Sequence, residues 1–172
     1  ELLAAQGRAD SSPASGGCPS QRLQSFSPCQ QANQPTQQSG SSLSHWPVQI
    51  RLVPPHAPFL DHADLLVTAD CAPVACADYH SLLQGKVALL GCPKFDSAEE
   101  YLEKFTAIFT TARIKSVTVL SMEVPCCSGL AKIVTAARRQ SGTDMPVENV
   151  IISTQGAILS RQPVPAQELA LA

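Results

Sequence analysis

Hydrophobic and polar positions divide the chain into two unlike parts. From Trp46 onward, short apolar runs alternate with longer segments of helical spacing. Residues 48–53 (VQIRLV), 63–70 (ADLLVTAD), 86–92 (KVALLGC), 114–124 (IKSVTVLSMEV) and 147–154 (VENVIIST) predict strands. The run 63–70 is apolar almost throughout, as in a strand buried on both faces. Residues 73–85 (PVACADYHSLLQG) predict a short helix ending at Gly85. Residues 96–112 begin with an Asp or Ser cap and acidic first-turn residues, then place Tyr101, Leu102, Phe105, Ile108 and Phe109 at helical spacing. A third helix is expected over 128–142, with Arg138 and Arg139 near its end and Gly142 past it. Residues 156–160 (GAILS) add a short antiparallel edge.

This alternation predicts βαβ units. The expected fold is α/β: an open, mainly parallel, doubly wound sheet of about five strands, flavodoxin- or Rossmann-like in layout. The link PPHAPFLDH between the first two strands is short for a crossover helix, so the strand order at that end stays open. Upstream the pattern fails. Residues 9–45 are rich in Ser, Gln, Pro and Gly and hold few large apolar side chains, too few to offset the entropy of ordering them. Within them, GGCPSQRLQSF (16–26) makes a tight turn and offers Leu23 and Phe26 as surface anchors. The chain therefore divides into a low-complexity arm or linker, 1–45, and an α/β domain, 46–172.

Composition narrows the function classes. The 172 residues, 44% hydrophobic, suffice for one domain with a sizeable core. A net charge of −2 leaves no basic surface for nucleic acid. No apolar run approaches the roughly 18 residues of a spanning helix, so no membrane partner is expected. The opening ELLAAQGRAD lacks both Met and the features of a signal peptide, and reads as the start of a fragment or processed chain. Seven cysteines are too sparse for a disulfide scaffold and odd in number, which favours a reducing, cytoplasmic setting. The phosphate-binding patterns GxGxxG and GxxxxGK[ST] and the nucleophile pattern GxSxG are absent, so nucleotide binding and serine hydrolysis have no support.

The cysteines take their meaning from the strands. Cys71 follows the second strand, Cys92 the third, and Cys126 and Cys127 the fourth. Ligands of open parallel sheets sit beyond the carboxyl ends of the strands, so three exits deliver thiols to one rim. A helix N-terminus after each exit lowers thiol pKa and favours an anionic group, and Pro73, Pro93 and Pro125 stiffen the exits. Buried cysteine is also an ordinary core residue. Cys76, within the first helix, and Cys29, in the arm, read as bystanders, whereas the glycines before Cys18 let it lie over the crevice as a further ligand. Thiolate sites favour iron–sulfur clusters or zinc. Neither paired CxxC motifs nor the dense ferredoxin run is present, so spacing leaves the metal open. The vicinal pair also admits a metal-free dithiol–disulfide couple. A zinc hydratase or hydrolase using Cys71, Cys92 and His80 with a bound water is a further alternative, as is a partner-binding module with a vestigial site. Asp70 is placed to orient a ligand; His45, His56 and His62 read as structural or surface residues.

The segments WPVQIRLVPPHAPFLDHADLLVTADCAPVACADYH, GKVALLGCPKFD and SVTVLSMEVPCCSGL, with GGCPSQRLQSF upstream, resemble the C-terminal domain of anaerobe proteins labelled 4Fe-4S ferredoxin or iron–sulfur cluster-binding oxidoreductase. The resemblance covers about residues 16–156. It implies an iron–sulfur centre of 4Fe-4S type, a role in electron transfer, and ligands at Cys18, Cys71, Cys92, Cys126 and Cys127. It also implies a redox partner protein or an attached ferredoxin-type segment. Lys94 and Lys132 would offset the charge of such a cluster. Two departures stand out: no four-cysteine ferredoxin segment is present, and Ser128 and Cys76 replace the residues expected there.

Overall fold

A computed structural model describes residues 23–25 and 41–165. Two-residue strands β1 (Gln24–Ser25) and β2 (His45–Trp46) pair as an antiparallel ribbon. The main sheet comprises β3 (Asp64–Ala69), β4 (Val87–Gly91), β5 (Ser116–Met122), β6 (Val147–Ile152) and β7 (Ile158–Val164) in the order β4-β3-β5-β6-β7. The first four are parallel and β7 returns antiparallel at the edge. The fold is the doubly wound α/β sheet that the strand–helix alternation predicts.

Short helices α1 (Ala72–Ala75) and α2 (Tyr79–Leu83) link β3 to β4. Two longer helices follow β4 and β5: α3 (Ala98–Thr111) and α4 (Ser128–Ser141). The chain moves one way from β3 to β4, then back past β3 to β5 and β6, so right-handed crossovers put α1–α2 on one face and α3–α4 on the other. Burial agrees: five of six β3 residues and six of seven β5 residues are buried regardless of the face they point to. The core runs through Leu65, Val67, Val119 and Leu120 to Phe105, Ile108, Leu130 and Val134. Ser97 caps α3 by accepting the Glu100 N–H at 3.3 Å, and Gly142 ends α4 with φ 68, a left-handed residue in the position where glycine carries no Cβ penalty.

Two expectations are corrected. Residues 48–53 form no strand. Gln49 makes a single parallel bridge beside Leu90, and the chain then turns. Ile50 and Val53 are both fully buried three residues apart, a spacing that a turn satisfies and an alternating strand does not. The helix over 73–85 is two short helices, because Cys76 takes an extended conformation (ψ 103) where Gly156 of the β6–β7 turn packs against the Ala75 backbone.

Burial also begins upstream of Trp46. Ser42, Ser44 and His45 are buried, and His80 Nδ1 accepts the Ser42 N–H at 3.1 Å. His45 ties this segment to the sheet: its Nε2 accepts the Ala88 N–H at 2.9 Å, and its ring lies 4.5 Å from that of Phe59. Its Nδ1 has no hydrogen-bond partner of ordinary geometry among the described residues, and the nearby Pro47 backbone offsets only part of the cost of burial.

Burial lowers the His45 pKa from 6.5 to about 4, so the folded protein holds the ring neutral. The unfolded chain binds the extra proton between those values, so this contribution is complete above pH 6.5 and is lost as pH falls toward 4. The shift corresponds to about 2–3 kcal/mol at pH 4.5. Urea midpoints at pH 7.5 and 4.5 are expected to differ less in His45→Gln than in the parent protein. Equal pH dependence in both would show that His45 is not the group responsible.

Candidate functional site

The strand order gives the rim its shape. Counting from β3, the order is 2-1-3-4-5, and the reversal lies between β3 and β5. At such a point the connections leave in opposite directions and open a crevice beyond the carboxyl ends. Cys71 follows β3, and Cys126 and Cys127 follow β5, on either side of that crevice. Cys92 leaves β4, the neighbour of β3 on its other side. Four of the expected site cysteines therefore fall on three adjacent strand exits, β4, β3 and β5. Cys18 and Cys29 lie outside the described residues.

The four thiols differ in setting. Cys71 and Cys126 are exposed, Cys92 is half-buried, and Cys127 is buried at 3% exposure; all are free thiols. Residues Pro125–Cys127 make one 3-10 turn that runs into α4, so Cys127 occupies the N-cap and Ser128 Oγ donates to the Pro125 carbonyl at 2.8 Å. Burial pushes the Cys127 thiol up, a backbone hydrogen bond at Met122 opposes this, and the Cys126 and Cys92 sulfurs add to the rise. The loop after β4 leans the same way: a Cβ placed on Gly129 of α4 would lie 3.7 Å from Pro93. Cys126 and Cys127 thus leave β5 side by side, with the Cys92 loop beside the first turn of α4 and Cys71 on the exit between.

Only one exit leads at once into a long helix. Cys126 and Cys127 abut the fourteen-residue α4, whereas Cys71 precedes the four-residue α1 and α3 begins at Ala98, well past Cys92. The dipole contribution expected at all three exits therefore applies to the pair on β5. His80 faces Ser42 and not the crevice. Cys76 is buried in the core beside Tyr79, whose hydroxyl lies 3.3 Å from Thr68 Oγ1. Asp70 is exposed at the rim, where Gln49 Nε2 donates to it at 3.4 Å.

Tyr101 takes a part that its place in an apolar helical stripe concealed. Its hydroxyl accepts the Cys92 N–H at 3.1 Å and donates to Asp96, which also meets Arg51 at 3.5 Å. Burial, then the hydrogen bond to Asp96, push the Tyr101 phenol far up, so it remains a neutral donor. The ring approaches Gly91 so closely that a Cβ there would overlap its hydroxyl. α3 thus holds the exit of Cys92 from beneath. The sequence signal was present: a tyrosine among phenylalanines, five residues after an aspartate.

Donor chemistry decides what the rim suits. Among the described residues, no three His, Cys, Asp or Glu side chains converge to hold one metal ion. A single-ion zinc shell is therefore not formed by Cys71, Cys92 and His80.

The sheet order and this rim define a doubly wound α/β domain with its candidate site at the switch point. Residues 57–170 match the Rossmann-like domain family, and the chain belongs to that family. It is also 32% identical over 116 residues to a protein of Archaeoglobus fulgidus described as uncharacterized, an alignment covering 67% of this chain and 82% of that relative. No solved structure matches.

Tyr101→Phe leaves the Cys92 N–H and Asp96 without their shared partner. It is expected to lower stability by about 1–3 kcal/mol and to speed hydrogen exchange at the Cys92 amide. Unchanged exchange at that amide would show that the hydroxyl does not hold the loop.

Proposed function

We propose that this domain is a redox module that binds an iron–sulfur cluster, of 4Fe-4S type, at the carboxyl ends of its strands. The observation that carries the reading is the delivery of thiols by the three neighbouring exits β4, β3 and β5 to the switch-point crevice. Cys71, Cys92, Cys126 and Cys127 are the ligands from the described residues. Cys18 is the fifth candidate. β1 runs antiparallel to β2, and β2 leads into the bridge that lies parallel to β4, so the N-terminal end of β1 faces the carboxyl end of the sheet. The six residues from Cys18 to Gln24 span at most about 20 Å.

When bound, the cluster supplies one-electron transfer. The chain's own residues position and tune. Tyr101 and Asp96 hold the Cys92 exit. The α4 N-terminus favours negative charge beside Cys126 and Cys127, and exposed Lys94 and Lys132 add positive charge. Val74, 90% exposed on α1, and Phe95, 85% exposed on the loop after β4, follow two neighbouring strand exits. They offer an apolar contact at the rim for a redox partner protein or an attached ferredoxin-type segment. Among the described residues no helix is long and apolar enough to cross a membrane. A reducing cytoplasm would keep these thiols free to ligate.

Anaerobic incubation with ferrous iron and sulfide is expected to yield a coloured protein with cluster absorbance and paramagnetic-resonance spectra. Serine at Cys71, Cys92, Cys126 or Cys127 should reduce both the iron and the acid-labile sulfide retained. A colourless, iron-free product from folded protein would overturn the proposal.

A further inference from the structure

Residues 41–50 form a strap that seals the outer edge of β4, the first strand in the sheet order. The Val48 carbonyl accepts the Leu90 N–H at 2.8 Å, and the Ile50 N–H donates to the Leu90 carbonyl at 2.9 Å. The other outward amide, Ala88 N–H, goes to a side chain: His45 Nε2 accepts it at 2.9 Å. Three residues before His45, the Ser42 N–H donates to Nδ1 of His80 on α2 at 3.1 Å. Two imidazoles therefore hold the strap, one reaching from it to the sheet and one reaching to it from a helix. Both act as acceptors, which only a neutral ring can do at these nitrogens. An imidazolium carries a proton on each nitrogen and would set donor against donor.

We propose that the strap is a pH-sensitive latch, closed by neutral His80 and His45 and released from the β4 edge when both take up a proton. Exposure sets the order. His80 is exposed, so it is protonated first and gives up the Ser42 amide; His45 has no solvent exposure and follows only when the loosened strap admits water. Once protonated, His45 cannot close over the Ala88 amide again. Opening and proton uptake are thereby linked, because burial holds the His45 pKa at about 4 in the closed latch and its ordinary value is 6.5. The strap, β1, β4 and the turn Pro58–Leu60 contain no other acid or base, so they supply no counter-charge to a protonated His45. Of the charged residues flanking these elements, Lys86 donates to Thr118 Oγ1 and Asp61 pairs with Arg113. Beside His80 stand Tyr79, edge-on at 5.9 Å, and Asp78, whose carboxylate accepts the Ser81 hydroxyl. The opened state frees the Ala88 and Leu90 amides, so acid uncovers a sheet edge that neutral pH hides.

Trp46 is the chain's single tryptophan and lies in the strap, so its emission reports on the latch. The test uses metal-free protein and does not depend on whether a cluster assembles. Between pH 7.5 and 5.0, Trp46 emission is expected to shift to the red and become more accessible to acrylamide, with far-ultraviolet circular dichroism retained. Over the same range, hydrogen-exchange protection of the Ala88 amide should fall about thirtyfold, the factor that a His45 pKa change from 6.5 to about 4 gives. His80→Asn and His45→Gln each keep a carbonyl acceptor in place of the ring nitrogen and remove the titration. His80→Asn should move the Trp46 transition to lower pH, and the double variant should show none above pH 4.5. Should the buried substitution prevent folding, the exposed His80→Asn alone decides. A Trp46 transition that coincides with loss of ellipticity, one at the parent's pH in His80→Asn, or none above pH 4.5 in the parent would each overturn the proposal.

Discussion

The reversal of strand order at β3 is the constraint on which the rest depends. A chain that goes from β3 out to β4 must pass β3 again to reach β5, and right-handed crossovers send the two excursions over opposite faces. The sheet is thereby covered on both sides, which explains why β3 and β5 are buried whichever way their side chains point. The same wiring leaves the carboxyl ends of β3 and β5 without a connection running between them. A crevice is what remains when both faces are closed and one end is not, and this protein borders its crevice with sulfur.

Holding that border is a separate task from making it. Loops beyond strand ends are the part of a doubly wound fold least restrained by packing. Here the β4 exit is restrained from within the core: Tyr101, with no solvent exposure, reaches through the space left by the missing side chain of Gly91 to bond the Cys92 amide. Bulk at Gly91 would evict the ring, and loss of the hydroxyl would leave both Asp96 and the amide short of a partner. The β5 exit is restrained differently, by the 3-10 turn that converts directly into α4. One thiol is steadied by a side-chain network and the others by the start of a helix, so the two edges of the crevice can respond independently to what enters it.

Much of this was legible in the chain. β3 and β4 are nearly continuous apolar runs, β5 and β6 carry enough β-branched residues to mark them as strands, and α3 and α4 carry strong apolar stripes. The legibility ended where distant contacts decide the conformation. Residues 48–53 look like a strand because Val48, Ile50 and Leu52 alternate, yet Ile50 and Val53 are the two that the core takes, and Pro54 and Pro55 stop any continuation. The break between α1 and α2 is invisible in the pattern, since Ala72, Cys76, Tyr79 and Leu83 are all buried at spacings a continuous helix would also give. It is set by the β6–β7 turn, whose Gly156 occupies the space against Ala75. The thiol rim could be read from strand ends alone. The contact of Pro93 with the first turn of α4 could not, because it depends on where the β4 loop folds after it leaves the sheet.

The sulfurs of the rim also differ in how far solvent reaches them. Thiolates that ligate irons must stay reduced, and thiols that couple to each other are withdrawn from ligation. Access falls from exposed Cys126 through half-buried Cys92 to buried Cys127. Burial raises the Cys127 thiol and leaves little thiolate there until a partner, sulfur or metal, is at hand to stabilise the anion. A thiol buried at the wall of a crevice is shielded from oxidants in solvent. The strand reversal opens the site, and the uneven burial of its sulfurs decides the order in which they can be used.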